Sequence, residues 1–335
     1  MKSAHALKVA EIVPQGTDAV LLSFCLEDEN VQPFRFAPGQ YLTLAADVDG
    51  DRYWRCYSIT SDPQQEPLIS VLVRRVAGGR VSNWICDTVQ PGERIDVLPP
   101  AGRFTLNAPC QSVLLFAGGS GIAPIFALAR QALDQGVSKV TLFYANRDLS
   151  TAMLLRELEQ LQSRTQGRFE IKLWFDAEKG LPTVDAIRDQ TLGLEAGDVY
   201  LCGPEPFMKV VNEGLALAGF DRAHVHQEDF GAAPDDGDTQ SDAGQSKSLT
   251  VLIKGAEHTV PVRGSESLLS AMLNAGLQAP HACKVGECAS CVCRLEQGAV
   301  ERLENSVLDD DDAAEGLILA CRTRAVSEQI RIRFS

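Results

Sequence analysis

The strongest constraint on this chain is a spacing: Cys283, four residues, Cys288, two residues, Cys291, then 29 residues before Cys321. Three cysteines so close together must come from one tight loop, and the fourth brings in a distant segment. The spacing is that of four thiolates on the two irons of a 2Fe-2S cluster. Structural zinc more often draws on two Cys-x2-Cys pairs, and the sequence has only one such step. Gly286, Ala289 and Ser290 are small, so the loop backbone can approach the sulfurs and its N–H groups can bond them. Of the ten cysteines, Cys25, Cys56, Cys86, Cys110, Cys202 and Cys293 follow no ligand spacing. Cys293, two residues past Cys291 on what reads as the next strand, is expected to be a packed thiol.

At 335 residues the chain is too long for one ordinary core, and three compact units are expected. Residues 231–247, GAAPDDGDTQSDAGQSK, hold no large apolar side chain and read as a flexible linker. Up to about Asn107 the chain reads as strands between turn signals: alternating Val20, Leu22 and Phe24, then Tyr41 to Leu44, Trp54 to Thr60 and Leu68 to Val76. An antiparallel β-barrel follows from that pattern. From Val113 the pattern changes to an apolar run, Val113 to Ala117, then glycines, then an apolar-periodic helix over Ala123 to Leu133. Val140 to Tyr144, Phe169 to Phe175 and Val199 to Cys202 repeat the strand signal between helical stretches, which predicts an α/β doubly wound parallel sheet. Beyond the linker, Leu249, Val251 and Ile253 alternate, as do Ile330, Ile332 and Phe334. Leu268, Leu269, Met272 and Leu273 sit at helical spacing before Gly276, and this pattern fits a β-grasp domain. The expected division is 1–107, 108–230, the linker 231–247, and 248–335.

Composition excludes more than it assigns. With 45% hydrophobic and 23% charged residues and no long apolar run, no membrane span or signal peptide is expected, and a cytoplasmic monomer is. A net charge of −14 disfavours nucleic acid, which demands clustered Lys and Arg. An acidic surface suits a basic protein partner, with solubility alone as the plainer reading. Asp309 to Asp312 could supply a docking patch for one, with a solvated loop as the plainer alternative.

The segment HACKVGECASCVC resembles the plant ferredoxin family, and Arg55-Cys56-Tyr57-Ser58 resembles the Arg-x-Tyr-Ser signature of the ferredoxin-NADP reductase family. That resemblance implies a flavin lying along this tetrad, Cys56 included, and against Val73. Arg55 would pair with flavin phosphate, Tyr57 pack on the isoalloxazine, and Ser58 meet N5; a donor fork, a flat ring and a small hydroxyl suit those tasks. Gly79, Arg80, Val81 and Ser82 open a short helix whose amides could hold the pyrophosphate, with an ordinary N-cap as the plain alternative for Ser82.

In the same family the turn Gly118-Gly119-Ser120-Gly121-Ile122-Ala123-Pro124 binds nicotinamide dinucleotide, which implicates Gly119, Ser120, Gly121 and Pro124. It is paired with Cys202-Gly203-Pro204, followed here by Phe207 and Met208. The family's cysteine sits near nicotinamide C4; a buried strand-end thiol is the alternative. His226-Gln227-Glu228-Asp229-Phe230 resembles the closing Glu-x-Phe, whose aromatic covers the flavin, although a core aromatic at a domain end is nearly as good a reading of Phe230. Hydride would then pass beside Ser58, Cys202, Glu228 and Phe230.

The order of flavin barrel, nicotinamide domain and C-terminal ferredoxin is similar to the fused reductases of multicomponent oxygenases, notably those of the 3-ketosteroid 9α-hydroxylase and phenylacetyl-CoA epoxidase kinds. Glu315 to Cys321 and Tyr144 to Asp148 fit the first of these. The resemblance implies an NAD(P)H-dependent reductase that passes single electrons to a terminal oxygenase, of Rieske type in preference to a di-iron oxygenase or a desaturase. A relay or redox-sensing subunit without hydride chemistry is the alternative from another class. Gly-Arg-Val-Ser and Ala101-Gly102-Arg103-Phe104 look like the FAD branch, not the FMN branch. NADH is favoured over NADPH: Asp148 could hold a ribose diol, yet Arg147 beside it could hold a 2′-phosphate.

Overall fold

The computed structural model of the protein describes residues 4–64, 67–107, 111–194, 197–230 and 247–334. Of the sequence-assigned linker only Lys247 falls within them, and Cys110 lies outside. Two compact units result: one holds residues 50–56 with residues 247–334, the other residues 5–49 and 57–230.

The N-terminal sheet is built from β1 (His5–Gln15), β2 (Ala19–Cys25), β3 (Tyr41–Val48), β4 (Asp51–Ser58), β5 (Leu68–Arg74) and β6 (Arg94–Ala101), with short helices α1 (Asp28–Val31) and α2 (Arg80–Asp87). Its order is β4-β3-β6-β1-β2-β5, and an antiparallel bridge from Ile59 to Val71 brings the chain just past β4 back to β5. That bridge closes the sheet into the expected barrel. Val20, Leu22 and Phe24 are all buried, and Ser23 between them meets the Ser70 hydroxyl at 2.8 Å, so its polar group is satisfied inside.

The same unit continues through β7 (Ser112–Gly118), α3 (Ile122–Asp134), β8 (Lys139–Asn146), α4 (Leu155–Arg164), β9 (Phe169–Phe175), α5 (Asp176–Lys179), α6 (Val184–Thr191), β10 (Asp198–Cys202), α7 (Glu205–Leu217) and β11 (Val225–Glu228). These strands are parallel in the order β11-β10-β7-β8-β9. The unbroken apolar run of β7 now has its reason: Val113, Leu115 and Ala117 enter a core with α3, while Leu114 and Phe116 enter another with α6 and α7. A strand covered on both faces has no polar side to alternate. The chain moves from β7 outward to β9 in one direction and through β10 to β11 in the other. A topological switch point therefore opens between β7 and β10, where ligands of such sheets bind beyond the carboxyl ends. Arg130 of α3 ties this layer to the barrel, donating to the carbonyls of Thr60, at 3.2 Å, and Ser61.

The C-terminal elements are β12 (Lys247–Ile253), β13 (Ala256–Val262), α8 (Leu268–Asn274), β14 (Val292–Gln297), β15 (Val300–Arg302), α9 (Asp310–Ala314), β16 (Leu317–Leu319), β17 (Thr323–Ala325) and β18 (Gln329–Arg333). The main sheet runs β13-β12-β18-β14-β16 with β12 and β18 parallel, and β15 pairs with β17. Ser267 caps α8 by accepting the Ser270 N–H at 3.1 Å, and Gly276, at φ 79°, ends it as the sequence indicated. One expectation is corrected: Asp309 to Asp312 is no solvated loop but a helix start. Asp309 accepts the Asp312 N–H at 2.9 Å and the Asp312 carboxylate answers to the Asp309 N–H at 3.3 Å, a reciprocal cap that suits acidic residues at a helix N-terminus. Among the described residues no helix is long and apolar enough to cross a membrane.

Candidate functional site: a dinucleotide crevice and a four-sulfur loop

The crevice between β7 and β10 gathers residues far apart in sequence. Gly121 lies against the end of β10 so closely that a Cβ there would stand 2.1 Å from the Cys202 carbonyl oxygen. Gly119 takes φ 53°, with a guanidinium nitrogen of Arg74 2.9 Å from the place of its absent Cβ. The glycines thus serve two ends: Gly121 lets two pieces of backbone touch, and Gly119 lets the turn adopt a left-handed conformation. Ser120 is half-buried and accessible, while Pro124 is buried in the first turn of α3. Cys202 is wholly buried at the last position of β10, paired in register with Glu228 of β11. Burial pushes its thiol well above the ordinary range, and the carboxylates of Glu228 and Asp229 push the same way, so it stays neutral. Gly203 follows it, and the exposed Pro204 precedes α7. Phe207 is half-buried, but Met208 faces into the core behind the sheet, away from the crevice.

At the carboxyl end of β8 the two specificity candidates are both engaged. Asp148 accepts from the Ser150 hydroxyl at 2.7 Å and the Thr151 N–H at 2.9 Å, and the first of these bonds leads in holding its carboxyl below the ordinary value. Arg147 reaches Asp18 Oδ2 at 2.9 Å. Beside them the Nδ2 of buried Asn146 has no hydrogen-bond partner among the described residues, a donor that a ligand oxygen would satisfy. Sequence reasoning passed over Asn146, because an asparagine ending a strand is an ordinary turn residue until its burial is known.

On the barrel, Ser58 is buried at the end of β4, Tyr57 half-buried and Arg55 exposed. Arg55 donates to the Trp54 carbonyl at 2.7 Å and, within the unit that holds residues 50–56, to the His281 carbonyl at 3.1 Å. Val73 is fully buried inside the barrel. Gly79 caps α2, Arg80 at its start is exposed and Val81 packs inward. Ser82 is not the N-cap: it sits inside the first turn, and its hydroxyl accepts the Val76 N–H at 3.2 Å, fixing the loop that enters the helix. Its neighbour Asn83 carries a buried Oδ1 with no partner among the described residues, which fits a bound polar group at this helix start. Phe230 is 54% exposed, which removes the core-aromatic reading. A phenyl ring left in water beyond β11 is free to cover a flat ligand.

In the C-terminal unit, the four sulfurs come in two pairs. Cys291 and Cys321 lie 3.2 Å apart, sulfur to sulfur, and Cys283 and Cys288 share a thiol hydrogen bond. Main-chain N–H groups point at them: Cys283 to the Cys288 sulfur at 3.3 Å, Val285 and Glu287 to the Cys283 sulfur at 3.4 Å each. The Ser290 hydroxyl stands 3.3 Å from the Cys288 sulfur. Crowding raises the thiol of Cys283, chiefly through its Cys288 neighbour and then burial, and that of Cys321, chiefly through Cys291. Thiols so close cannot all ionise without a cation among them, and the irons of a 2Fe-2S cluster would supply it. Among the described residues no three His, Cys, Asp or Glu are gathered for a single ion; two pairs suit two irons. Gly286, at φ 83°, has Arg322 and Asn305 side chains where a Cβ would be, so the loop closes only on glycine. Cys293 is buried among β14, β16 and α8, as expected of a packed thiol.

Three family models match successive parts of the chain. Residues 6–106 match the oxidoreductase FAD-binding domain, residues 115–213 the oxidoreductase NAD-binding domain, and residues 251–326 the 2Fe-2S iron-sulfur cluster binding domain. The ferredoxin reductase component of 3-ketosteroid-9-alpha-monooxygenase from Rhodococcus rhodochrous is 35% identical over 339 residues, covering 98% of this chain and 96% of that one. The glycine betaine monooxygenase reductase subunit of Chromohalobacter salexigens is 30% identical, covering 95% and 92%. Among solved structures, phthalate dioxygenase reductase superposes with a TM-score of 0.62 at 27% identity, covering 99% of this chain and 98% of that one. Domain content, order and full-length similarity all agree, and the chain belongs to the family of oxygenase reductase components that join an FAD-binding barrel, an NAD-binding α/β layer and a 2Fe-2S ferredoxin domain in one polypeptide.

Proposed function

We propose that this chain takes electrons from NADH and delivers them singly to a terminal oxygenase of Rieske type, acting as a cytoplasmic monomer with domains 1–107, 108–230 and 248–335 joined through 231–247. The observation that carries the reading is the meeting of Gly121, Cys202 and Glu228 at the switch point of a parallel sheet. The oxygenase acceptor rests on the relatives, named as components of monooxygenases, and the Rieske type on the sequence resemblance to 3-ketosteroid 9α-hydroxylase reductase.

Bound FAD supplies the conversion from an electron pair, received as hydride, to single electrons that the cluster can carry. The residues of the chain do the rest. Arg55 would offer a donor fork to flavin phosphate, Tyr57 a flat face and the buried Ser58 a hydroxyl to the flavin ring. Gly119, Ser120 and the start of α3 receive the pyrophosphate of the nicotinamide dinucleotide, with Gly203 and Pro204 forming the opposite wall. Cys202, neutral and buried, gives shape without charge beside the reacting carbon, and Glu228 places a carboxylate where the ring becomes cationic. Phe230, exposed beyond β11, would cover the flavin face against water. Cys283, Cys288, Cys291 and Cys321 hold the cluster, and the N–H groups of Cys283, Val285 and Glu287 tune its potential.

Anaerobic addition of NADH to the purified protein tests this. Flavin absorbance should bleach first and cluster absorbance after it. Absence of both changes sinks the reductase reading; flavin bleaching without cluster bleaching sinks the assignment of the cluster as exit.

A further inference from the structure

Asp18 lies in the turn between β1 and β2, in the barrel, yet its Oδ2 carries Arg147 Nη2 at 2.9 Å and Arg74 Nε at 3.4 Å. Its side chain is only 21% exposed, and its other oxygen is buried with no partner among the described residues. The turn is fastened to the very loop that holds Arg147. Thr17 N–H donates to the Ser150 carbonyl at 2.9 Å, and Gln15 accepts the Leu154 N–H at 2.9 Å. A Cβ on Gly16 would stand 2.6 Å from the Ser150 oxygen, so turn and loop touch at backbone distance. In a dinucleotide-binding sheet the residues just past the second strand meet the adenosine 2′ position, where a carboxylate favours the diol and a guanidinium favours a 2′-phosphate. Here the loop carboxylate, Asp148, is taken up by Ser150 and Thr151, and the loop guanidinium is taken up by Asp18.

We infer that Asp18 sets the preference for NADH: a carboxylate lent by the flavin barrel holds the charge of Arg147 and repels a 2′-phosphate. Resting as it does on the proposed seat of the dinucleotide at the ends of β7 and β8, the inference makes Asp18 a positioning residue that acts through Arg147. One carboxylate here faces two guanidiniums, Arg147 and Arg74, so Asp18 acts by holding Arg147 back from the 2′ position and by placing a negative charge in the way of a doubly charged phosphate.

The test uses the full-length protein loaded with flavin, NADH and NADPH as donors, ferricyanide as acceptor, and 5′-AMP and 2′,5′-ADP as competing probes. In Asp18→Asn the ratio of kcat/KM for NADPH to that for NADH should rise about tenfold, the size of one charge-assisted hydrogen bond gained, and through KM, not kcat. Inhibition by 2′,5′-ADP should tighten by a similar factor and inhibition by 5′-AMP much less. Asp18→Glu should restore the wild-type ratio, and Asp18→Ser removes the same charge should the asparagine variant fail to hold flavin. Equal changes for both donors, or an unchanged ratio, would mean a structural role and overturn the proposal. A lower ratio would show Asp18 presenting Arg147 to the 2′-phosphate, the opposite sense. Failure of 5′-AMP to compete with NADH in the wild type would overturn the seat of the dinucleotide itself, and the assignment of Asp18 with it.

Discussion

The dinucleotide crevice and the four-sulfur loop do comparable work by opposite means. The crevice is made of strand ends and a helix start, backed on both faces of the sheet by buried side chains. Its shape comes from packing and exists before any ligand arrives. Between α8 and β14, by contrast, the described residues form no helix or strand, and Lys284 and Ala289 take positive φ values of 60° and 58°. Left-handed backbone in residues with a Cβ costs about 1–2 kcal/mol each. A segment with strained backbone, crowded thiols and few ladder bonds holds its shape through what it ligates. Regular packing makes a site that waits for a diffusing cofactor; a loop closed on its metal makes one that keeps it.

The contrast is tested most severely at the cluster. Cys321→Ser should abolish the cluster's visible absorbance and the NADH-dependent reduction of cytochrome c, while NADH still bleaches the flavin; loss of flavin bleaching as well would mean the two sites are not built independently. Gly121→Ala comes next. With its Cβ 2.1 Å from a backbone oxygen, it should cost about 1–3 kcal/mol of stability and raise the KM for NADH, read by thermal melting and steady-state kinetics. An unchanged melt would show that the crevice yields more than its packing implies.

The third expectation concerns pH. The Cys202 thiol is raised above its unfolded value by burial, so its neutral form stabilises the fold below the unfolded pKa, near 8.5, and that contribution is lost as pH rises beyond it. Against a Cys202→Ala variant, wild type should lose up to about 1.4 kcal/mol for each pH unit above roughly 8.5. Denaturant titrations at pH 7 and pH 10 check this, and parallel behaviour of the two proteins would place Cys202 in contact with solvent. The smallest effect belongs to Cys293→Ala, which should keep the cluster spectrum and cost only about 1 kcal/mol. Loss of the spectrum would make Cys293 part of the metal site and weaken the distinction between packed and ligating thiols.

What could be read along the chain shared one property: its signal was local. The Cys283 to Cys291 loop, the glycine turn at 118–121, the alternating apolar residues Val20, Leu22 and Phe24 of β2 and the two-sided burial of β7 depend on residues a few positions apart, and spacing or periodicity records them. Other features were beyond that reach. Ser82 looked like a cap because its type suits one, but the helix starts earlier and its hydroxyl belongs to Val76. Asn83 and Asn146 became site candidates only when their polar atoms proved buried and unanswered. Phe230 could have been core or cover until its exposure was known.

By itself the sequence determined the kinds of chemistry available: four thiolates at cluster spacing, a flavin motif, a glycine turn with its cysteine partner, and the order in which they occur. Tertiary structure alone decided how charge is distributed past the end of β8, at the proposed adenosine 2′ position. Arg147 and Asp148 stand together in sequence and pull the choice between NADH and NADPH in opposite directions. Folding sends Asp148 to Ser150 and Thr151, and gives Arg147 a partner 129 positions away in Asp18. A side chain's charge is local to the sequence, but the field it makes is set by whatever else the fold brings within a few ångströms.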